Sequence, residues 1–306
     1  MSVTLNGGVT FGGGLTLTAA PPAGPTAGWV SGGVSGARTT VNRITFATDT
    51  ATASIRGPLS TSTNSAAGAG TTTDGWVGGS PSSSTVNRIT YATDTAISSL
   101  RGPLSAARFY LAAAGNTTDG WFGGGVTPGG LTSLVDRITY ATDTATASVR
   151  GPLSLIIARF AAAGISTAGW FGGGGSSLST VQRITYATDT ATASVRGPLG
   201  LGTFAQAASS DNTTYGWWAG GSSNRSTVQR ITYATDTATA SIRGPLSSSR
   251  GYFTAVGDDS YGWFAGGFSS TSLVDRITYA TDTATASVRG PLSAAVYSSA
   301  GTSGVQ

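Results

Sequence analysis

The sequence predicts an all-β chain closed into a six-bladed β-propeller, with four antiparallel strands in each blade. Three observations carry that prediction. The segment Arg-Ile-Thr-aromatic-Ala-Thr-Asp-Thr occurs six times, starting at Arg43, Arg88, Arg137, Arg183, Arg230 and Arg276, with spacings of 45, 49, 46, 47 and 46 residues. Sequence self-similarity at that period, in a chain rich in Thr, Val, Ile and aromatics, is the mark of one propeller blade per repeat. The second is composition: all 17 basic residues are Arg and all 13 acidic residues are Asp, so the helix formers Lys and Glu are missing, while Gly, Ser and Thr abound; that balance favours strands joined by tight turns. Finally, every copy places its strand and turn signals in the same order.

The third copy illustrates the order. Residues 108–115 read as a first strand whose small residues suit the crowded inner rim of a propeller, and Asn116-Thr117-Thr118-Asp119 reads as a turn. Gly120-Trp121-Phe122-Gly123-Gly124 is a short second strand ending in a glycine doublet that permits close backbone approach. After a variable loop at residues 125–133, residues 134–140 form a third strand. Ala141-Thr142-Asp143-Thr144 turns the chain, and residues 145–150 form the outer strand, stopped by Gly151-Pro152-Leu153 because Pro cannot donate to a ladder.

This order resembles a kelch repeat. The resemblance rests on the doublet Gly123-Gly124, then Tyr140 and Thr144, then Pro152-Leu153, Arg159 and the small residues Ala161-Ala162-Ala163, and it extends over about residues 24–300. One kelch element is absent: Ala147 stands where the family has a Trp seven residues after the Tyr. A Trp sits instead on the second strand of every copy (Trp29, Trp76, Trp121, Trp170, Trp217 and Trp263), which we read as a change in which strand supplies the bulky plug between blades. The chain is thus kelch-like rather than a standard kelch domain.

A ring of blades must close, or it leaves two edges open to aggregation. Leu292-Ser293-Ala294-Ala295-Val296-Tyr297 repeats Leu104-Ser105-Ala106-Ala107-Arg108-Phe109, so a first strand ends the chain without its blade. The expected closure puts residues 295–300 beside the strand that carries Trp29; the competing closure uses residues 15–19. Residues 1–23 then form a separate β arm with a Pro-rich linker, and residues 24–306 the propeller. The arm alternates apolar and polar residues between glycines from Val3 to Thr18 and resembles the short β segments that precede receptor-binding modules of phage tail fibres; a plain tail, or a strand lying on the propeller, is the other reading.

Composition narrows the chemistry. Without His there is no Ser-His-Asp triad and no imidazole ligand, and without Cys, Lys or Glu there is no thiol, no Schiff base and no Glu acid, so no cofactor or metal is expected. Only paired Asp chemistry remains for an enzyme, for which the non-repeated Asp258-Asp259 and Asp211 are the candidates. The net charge of +4 comes from scattered Arg, without a run that would track phosphates, and no apolar stretch is long enough to span a membrane. The first 19 residues lack the basic start and apolar run of a signal peptide.

Repeated charges read as framework. Asp49, Asp94, Asp143, Asp189, Asp236 and Asp282 sit in Thr-Asp-Thr turns, where a carboxylate bonds nearby amides or pairs with Arg43 and its equivalents in the same or the next blade. Arg56, Arg101, Arg150, Arg196, Arg243 and Arg289, before Gly-Pro, are expected in surface or interblade pairs rather than in an anion-binding ring. Function in a repeat protein concentrates where copies differ. The copies differ in the loops after the Gly doublet, before the Trp and after Pro-Leu, and the last two blades add Tyr215, Trp218, Tyr252 and Tyr261. These four, with Asp258 and Asp259, are the expected ligand-binding residues, suited to stacking and hydrogen-bonding a sugar ring, with Tyr215 and Tyr261 the most exposed.

The expectation is a non-enzymatic phage virion protein (tail fibre, appendage or decoration) that presents a propeller for host-surface glycan adhesion or for packing. Its expected partners are other virion proteins through the arm, host-surface glycan at the propeller and further copies of the chain, but no nucleic acid. The alternatives are a secreted or cell-surface bacterial adhesion propeller and an Asp-dependent glycan-cleaving enzyme.

Overall fold

The structure is a computed structural model; it describes residues 25–34, 38–211, 213–221, 225–268 and 271–303, together with the backbone of two short strands, Val9–Phe11 and Leu15–Leu17. Six four-stranded antiparallel sheets form the blades of a propeller. Blade 3 runs through Ala112–Gly115, Asp119–Gly123, Val135–Thr139 and Ser148–Arg150, paired in that order from axis to rim. The other blades repeat it. Val9–Phe11 and Leu15–Leu17 pair with each other as an antiparallel hairpin.

Closure is made by the C-terminus. Ala300–Thr302 supplies the inner strand of blade 1, Thr302 opposite Trp29 and Ala300 opposite Ser31, and the N-terminal part of the chain supplies the other three: Ala27–Ser31, Val41–Thr45 and Ser54–Arg56. The paired residues lie further along the chain than the expected 295–300, and the inner strand of blade 3 likewise begins at Ala112 rather than at 108. The reason is the same in both: Tyr110 and Ser298 take φ of 57° and 53°, a left-handed kink that breaks the ladder before the strand starts. The turn after each third strand is a single 3-10 turn, as at Tyr140–Thr142, and the outer strand is only three residues long.

The seams between blades explain the repeated residues. Each second-strand Trp stacks on the aromatic of the next blade's 3-10 turn, with centroids 3.6–4.1 Å apart: Trp29 on Tyr91, Trp76 on Tyr140, and so on round to Trp263 on Phe46. Its indole N–H donates to the Asp of that same turn at 2.8–2.9 Å, as Trp76 does to Asp143 and Trp263 to Asp49. Two arginines of the Trp's own blade meet that carboxylate: Arg88 at 3.2 Å and Arg101 at 3.4 Å from Asp143. The same pairs are Arg43 and Arg56 with Asp94, Arg137 and Arg150 with Asp189, Arg183 and Arg196 with Asp236, Arg230 and Arg243 with Asp282, and Arg276 and Arg289 with Asp49. Each Asp side chain is nearly buried, so the indole and first-arginine hydrogen bonds and the second arginine's ion pair act across a low-dielectric seam. Of the two readings left open for Arg43 and its equivalents, the pairing is with the next blade. The Arg-Gly-Pro step has a matching reason: the Gly102 amide donates to the Asp143 carbonyl, and a Cβ there would lie 1.8 Å from the Ala145 oxygen.

The seam tyrosines give a pH prediction. Burial raises the hydroxyl pKa of Tyr91, Tyr140, Tyr186, Tyr233 and Tyr279 above the ordinary value near 10. In the unfolded chain these phenols ionise near pH ~10, while in the fold they stay neutral. Their contribution to stability is therefore complete below pH ~10 and is lost as pH rises from there towards the raised folded values, at about 1.4 kcal/mol per unit for each group. Ultraviolet titration should show these five phenols silent until the fold is lost, then ionising together with it. Smooth ionisation of every tyrosine near pH ~10 with tryptophan fluorescence unchanged would contradict the seam assignment.

Candidate functional site

Antiparallel pairing gives the propeller two chemically different ends. At one end lie the short turns between first and second strands and the 3-10 turns; we call it the turn face. At the other lie the long loops between second and third strands and the connectors that lead from one blade to the next; this is the loop face. The loop face carries an extra hairpin, Val126–Thr127 with Gly130–Leu131, and much exposed apolar surface, including Leu155, Ile156, Leu201 and Phe268.

At the axial mouth of the loop face the six connectors meet. Ser65, Tyr110, Arg159, Ala205, Tyr252 and Ser298 occupy equivalent positions, and all six have φ between 53° and 59°. Each amide donates to the carbonyl of its equivalent in the preceding blade at 2.6–3.0 Å: Tyr110 to Ser65, Arg159 to Tyr110, Ala205 to Arg159, Tyr252 to Ala205, Ser298 to Tyr252, and Ser65 back to Ser298. The result is a closed circle of backbone hydrogen bonds around the axis. A left-handed residue other than Gly costs on the order of 1–2 kcal/mol, yet none of the six is Gly. Behind the circle the inner strands crowd together around a narrow channel of about 100 Å³, lined by Ala and Gly residues such as Gly68, Ala113, Ala162, Ala208 and Gly301. A Cβ on Gly301 would lie 2.3 Å from the Ala255 oxygen, so the small residues there are a packing requirement.

The circle fixes the backbone; the side chains differ. Tyr110 and Tyr252 come from blades on opposite sides of the axis, and their rings meet across it with centroids 6.1 Å apart and planes at 56°. The Arg159 guanidinium lies 4.6 Å from the Tyr110 ring centre and has no carboxylate partner among the described residues. Partial burial raises the Tyr252 hydroxyl pKa, with Arg159 pulling the other way. Phe109, Phe204, Phe268 and Tyr297 extend the aromatic patch outward. On the other flank the ring residues are small, Ser65 and Ser298, and the Ser298 hydroxyl is buried without a hydrogen-bond partner. The six ring residues, from Ser65 to Ser298, line an open depression of about 70 Å³.

The six expected ligand residues are divided among three places. Trp218 is fully buried, its indole N–H donating to the Ala161 carbonyl of the neighbouring blade, so the expectation that it meets ligand is corrected: it fills the seam that Phe122, Phe171 and Phe264 fill elsewhere. Tyr215 and Tyr261 lie on the turn face, half-buried under Arg230 and Arg276 at 4.1 and 4.3 Å, where blades 2 and 3 place Asp74 and Asp119 against the equivalent Arg. They are seam residues rather than the most exposed aromatics. Asp258 caps its own turn by accepting the amides of Ser260 and Tyr261, and Asp211 does the same for Thr213, Thr214 and Tyr215. Burial raises the Asp258 carboxyl pKa, partly offset by those two amide bonds. The adjoining Asp259 is exposed on the same face. Tyr252 alone of the six belongs to the axial mouth.

Sequence reasoning passed over two groups. The sequence places Tyr110 in a strand and Arg159 in the repeat pattern; their signal is that the second residue before the inner strand takes four different types in the six copies. The other group is a pair of buried ion pairs, Arg108 with Asp136 at 2.8 Å and Arg250 with Asp275 at 3.0 Å, in the two opposite blades 3 and 6. The signal was internal covariation. Only the copies with Asp on the third strand carry Arg two residues before the ring position; copies with Asn42, Asn87, Gln182 or Gln229 have Val296, Thr63, Ile157 or Thr203 there. Among the described residues no cluster of three or more Asp could hold a metal ion. The chain matches no family model and no curated protein.

Proposed function

We propose that this chain is a non-enzymatic, kelch-like binding propeller carried on a phage virion, and that the axial mouth of its loop face holds host-surface glycan. One observation carries the reading: six positions share a single strained, hydrogen-bonded backbone and yet bear Ser, Tyr, Arg, Ala, Tyr and Ser. Residues that serve only the frame are repeated in this chain, as the seam Trp and Asp are. Residues held equally rigidly but varied from blade to blade suit recognition, because a preorganised platform loses little entropy on binding. Paired, tilted tyrosines beside a free guanidinium offer a sugar a stacking surface and a polar anchor. The Gly/Ser/Thr-rich composition, the near-identical repeats and the N-terminal hairpin favour the virion setting.

Two measurements test the two halves. Labelled chain should bind candidate host cells saturably, with affinity falling at least tenfold in Tyr110→Ala/Tyr252→Ala and unchanged in Tyr215→Ala/Tyr261→Ala. The reverse pattern would move the site to the turn face. Absence of the chain from purified, nuclease-treated particles of the phage that encodes it would remove the virion half and favour a secreted adhesion propeller.

A further inference from the structure

The axial mouth is asymmetric in charge as well as in shape. Among the described residues, ten of the Asp side chains are taken up by arginines: the six seam carboxylates, Asp74 and Asp119 beside them, and the buried Asp136 and Asp275. Asp211 and Asp258 cap turns at the opposite end of the molecule. Arg159 is exposed at the mouth, lies against Tyr110 and faces no carboxylate among the described residues, so within them the loop face presents a cation without a counter-charge.

We infer that the mouth takes the end of a glycan chain whose terminal sugar bears a carboxylate; this deepens, and rests on, the reading of the mouth as a glycan site. Three features define the ligand. A guanidinium presents a planar fork of donors that matches a carboxylate better than a hydroxyl. The Tyr110 and Tyr252 rings, tilted by 56°, make a shallow V that accepts the C–H face of a pyranose. The depression of about 70 Å³ is centred on the axis and walled by six connectors, so it admits the end of a chain rather than a stretch running through it. The circle of backbone bonds keeps all these groups in place before the ligand arrives.

The test uses the full chain and free sugars, observed by saturation-transfer NMR and calorimetry. The probes are glucuronic acid and N-acetylneuraminic acid, their neutral counterparts glucose and N-acetylglucosamine, and acetate as a bare carboxylate. We expect the acidic sugars to bind at least tenfold more tightly than the neutral ones, to lose that margin in Arg159→Gln and to keep part of it in Arg159→Lys. Arg159→Gln should unfold at the same temperature as the parent chain, since the replacement is also a non-Gly residue at an exposed position. An oligosaccharide with the acid at its non-reducing end should bind, and one with the same acid only in its interior should not. Equal binding of neutral and acidic sugars, both lost in Tyr110→Ala/Tyr252→Ala, would overturn the acidic specificity and leave the glycan reading standing. Acetate binding as tightly as the acidic sugars would overturn the inference by making the mouth a plain anion site. Failure of every sugar to bind would overturn both.

Discussion

Removal of residues 294–306 is expected to abolish the folded monomer. Those residues supply Val296, which is buried in the seam between blades 6 and 1, and the inner strand of blade 1. They also make at least five hydrogen bonds outside that strand: Ser65 to Ser298, Ser298 to Tyr252, Val34 to Tyr297, Gly267 to Val296, and Gly257 to the Ser303 hydroxyl. Each buried group left unpaired costs about 1–3 kcal/mol. Five of them are of the order of the whole net stability of a domain, about 5–15 kcal/mol, before the lost apolar burial is counted. The truncation also uncovers the strand of Trp29 as an open edge and breaks the circle at the axial mouth, so the product should aggregate. Size-exclusion chromatography and tryptophan fluorescence would read this, and a peptide of residues 289–306 supplied in trans should restore part of the signal. Deleting residues 1–23 should leave the unfolding temperature unchanged, because Ala300–Thr302 already fills the place that the competing closure gave to residues 15–19. A stable, monomeric truncation would mean that the ring does not depend on its last strand.

Arg108→Thr is expected to be the most destabilising single substitution on the loop side, at about 3–5 kcal/mol, while the double variant Arg108→Thr/Asp136→Asn should come within about 1 kcal/mol of the parent. Arg108 and Asp136 are both fully buried. Removing the Arg alone strands a carboxylate in the seam, where burial has already lowered the guanidinium's own pKa and Asp136 works to keep it charged. Asp136 keeps one partner, the Ser105 amide, which is too little to solvate a buried charge. The double variant copies an arrangement the chain already uses: in blade 2, Asn87 accepts from Ser60 and Thr61 at the same place, and Thr63 stands where Arg108 does. Denaturant unfolding of both singles and the double gives the coupling directly, with an expected value of at least about 3 kcal/mol. If the double were as unstable as the single, the pair would not be the source of the loss.

Why two opposite blades carry this pair follows from what it holds. In every blade the third-strand residue at this position accepts the first or second amide after Pro-Leu of the incoming connector: Ser105 on Asp136, Ser247 on Asp275 and Ser293 on Asn42 are the first, Leu155 on Gln182, Leu201 on Gln229 and Thr61 on Asn87 the second. Asn and Gln do this with a neutral oxygen. Asp does it with a charge, and the fold supplies Arg108 or Arg250 to match. The same two connectors continue into Tyr110 and Tyr252 two residues later, so the blades that fix the platform of the axial mouth are those whose connectors are pinned by a buried ion pair.

Much of this protein can be read from the sequence alone. The repeat of Arg-Ile-Thr-aromatic-Ala-Thr-Asp-Thr determines the number of blades, because each copy contains one strand and the turn that ends it. The Gly doublets, the Thr-Asp-Thr turns and the Gly-Pro stops place strands and turns by local backbone preference, which needs no partner. A spare copy of the first strand at the C-terminus indicates how the ring closes. Tertiary structure decided the rest. Trp76 and Asp143 are 67 residues apart, and nothing local says that the indole will meet the carboxylate of the next blade rather than its own; the stacking of one sheet on another does. Trp217 and Trp218 are neighbours and equally aromatic, but strand alternation sends them to opposite seams, which is why Trp218 looked available and is buried. Tyr252 and Tyr261 are nine residues apart and lie at opposite ends of the propeller, because a strand runs from one face to the other between them. The axial circle is the clearest case: no pattern in the chain announces six left-handed residues, since they arise only when six connectors converge on one axis and each finds its hydrogen-bond partner in the blade before it.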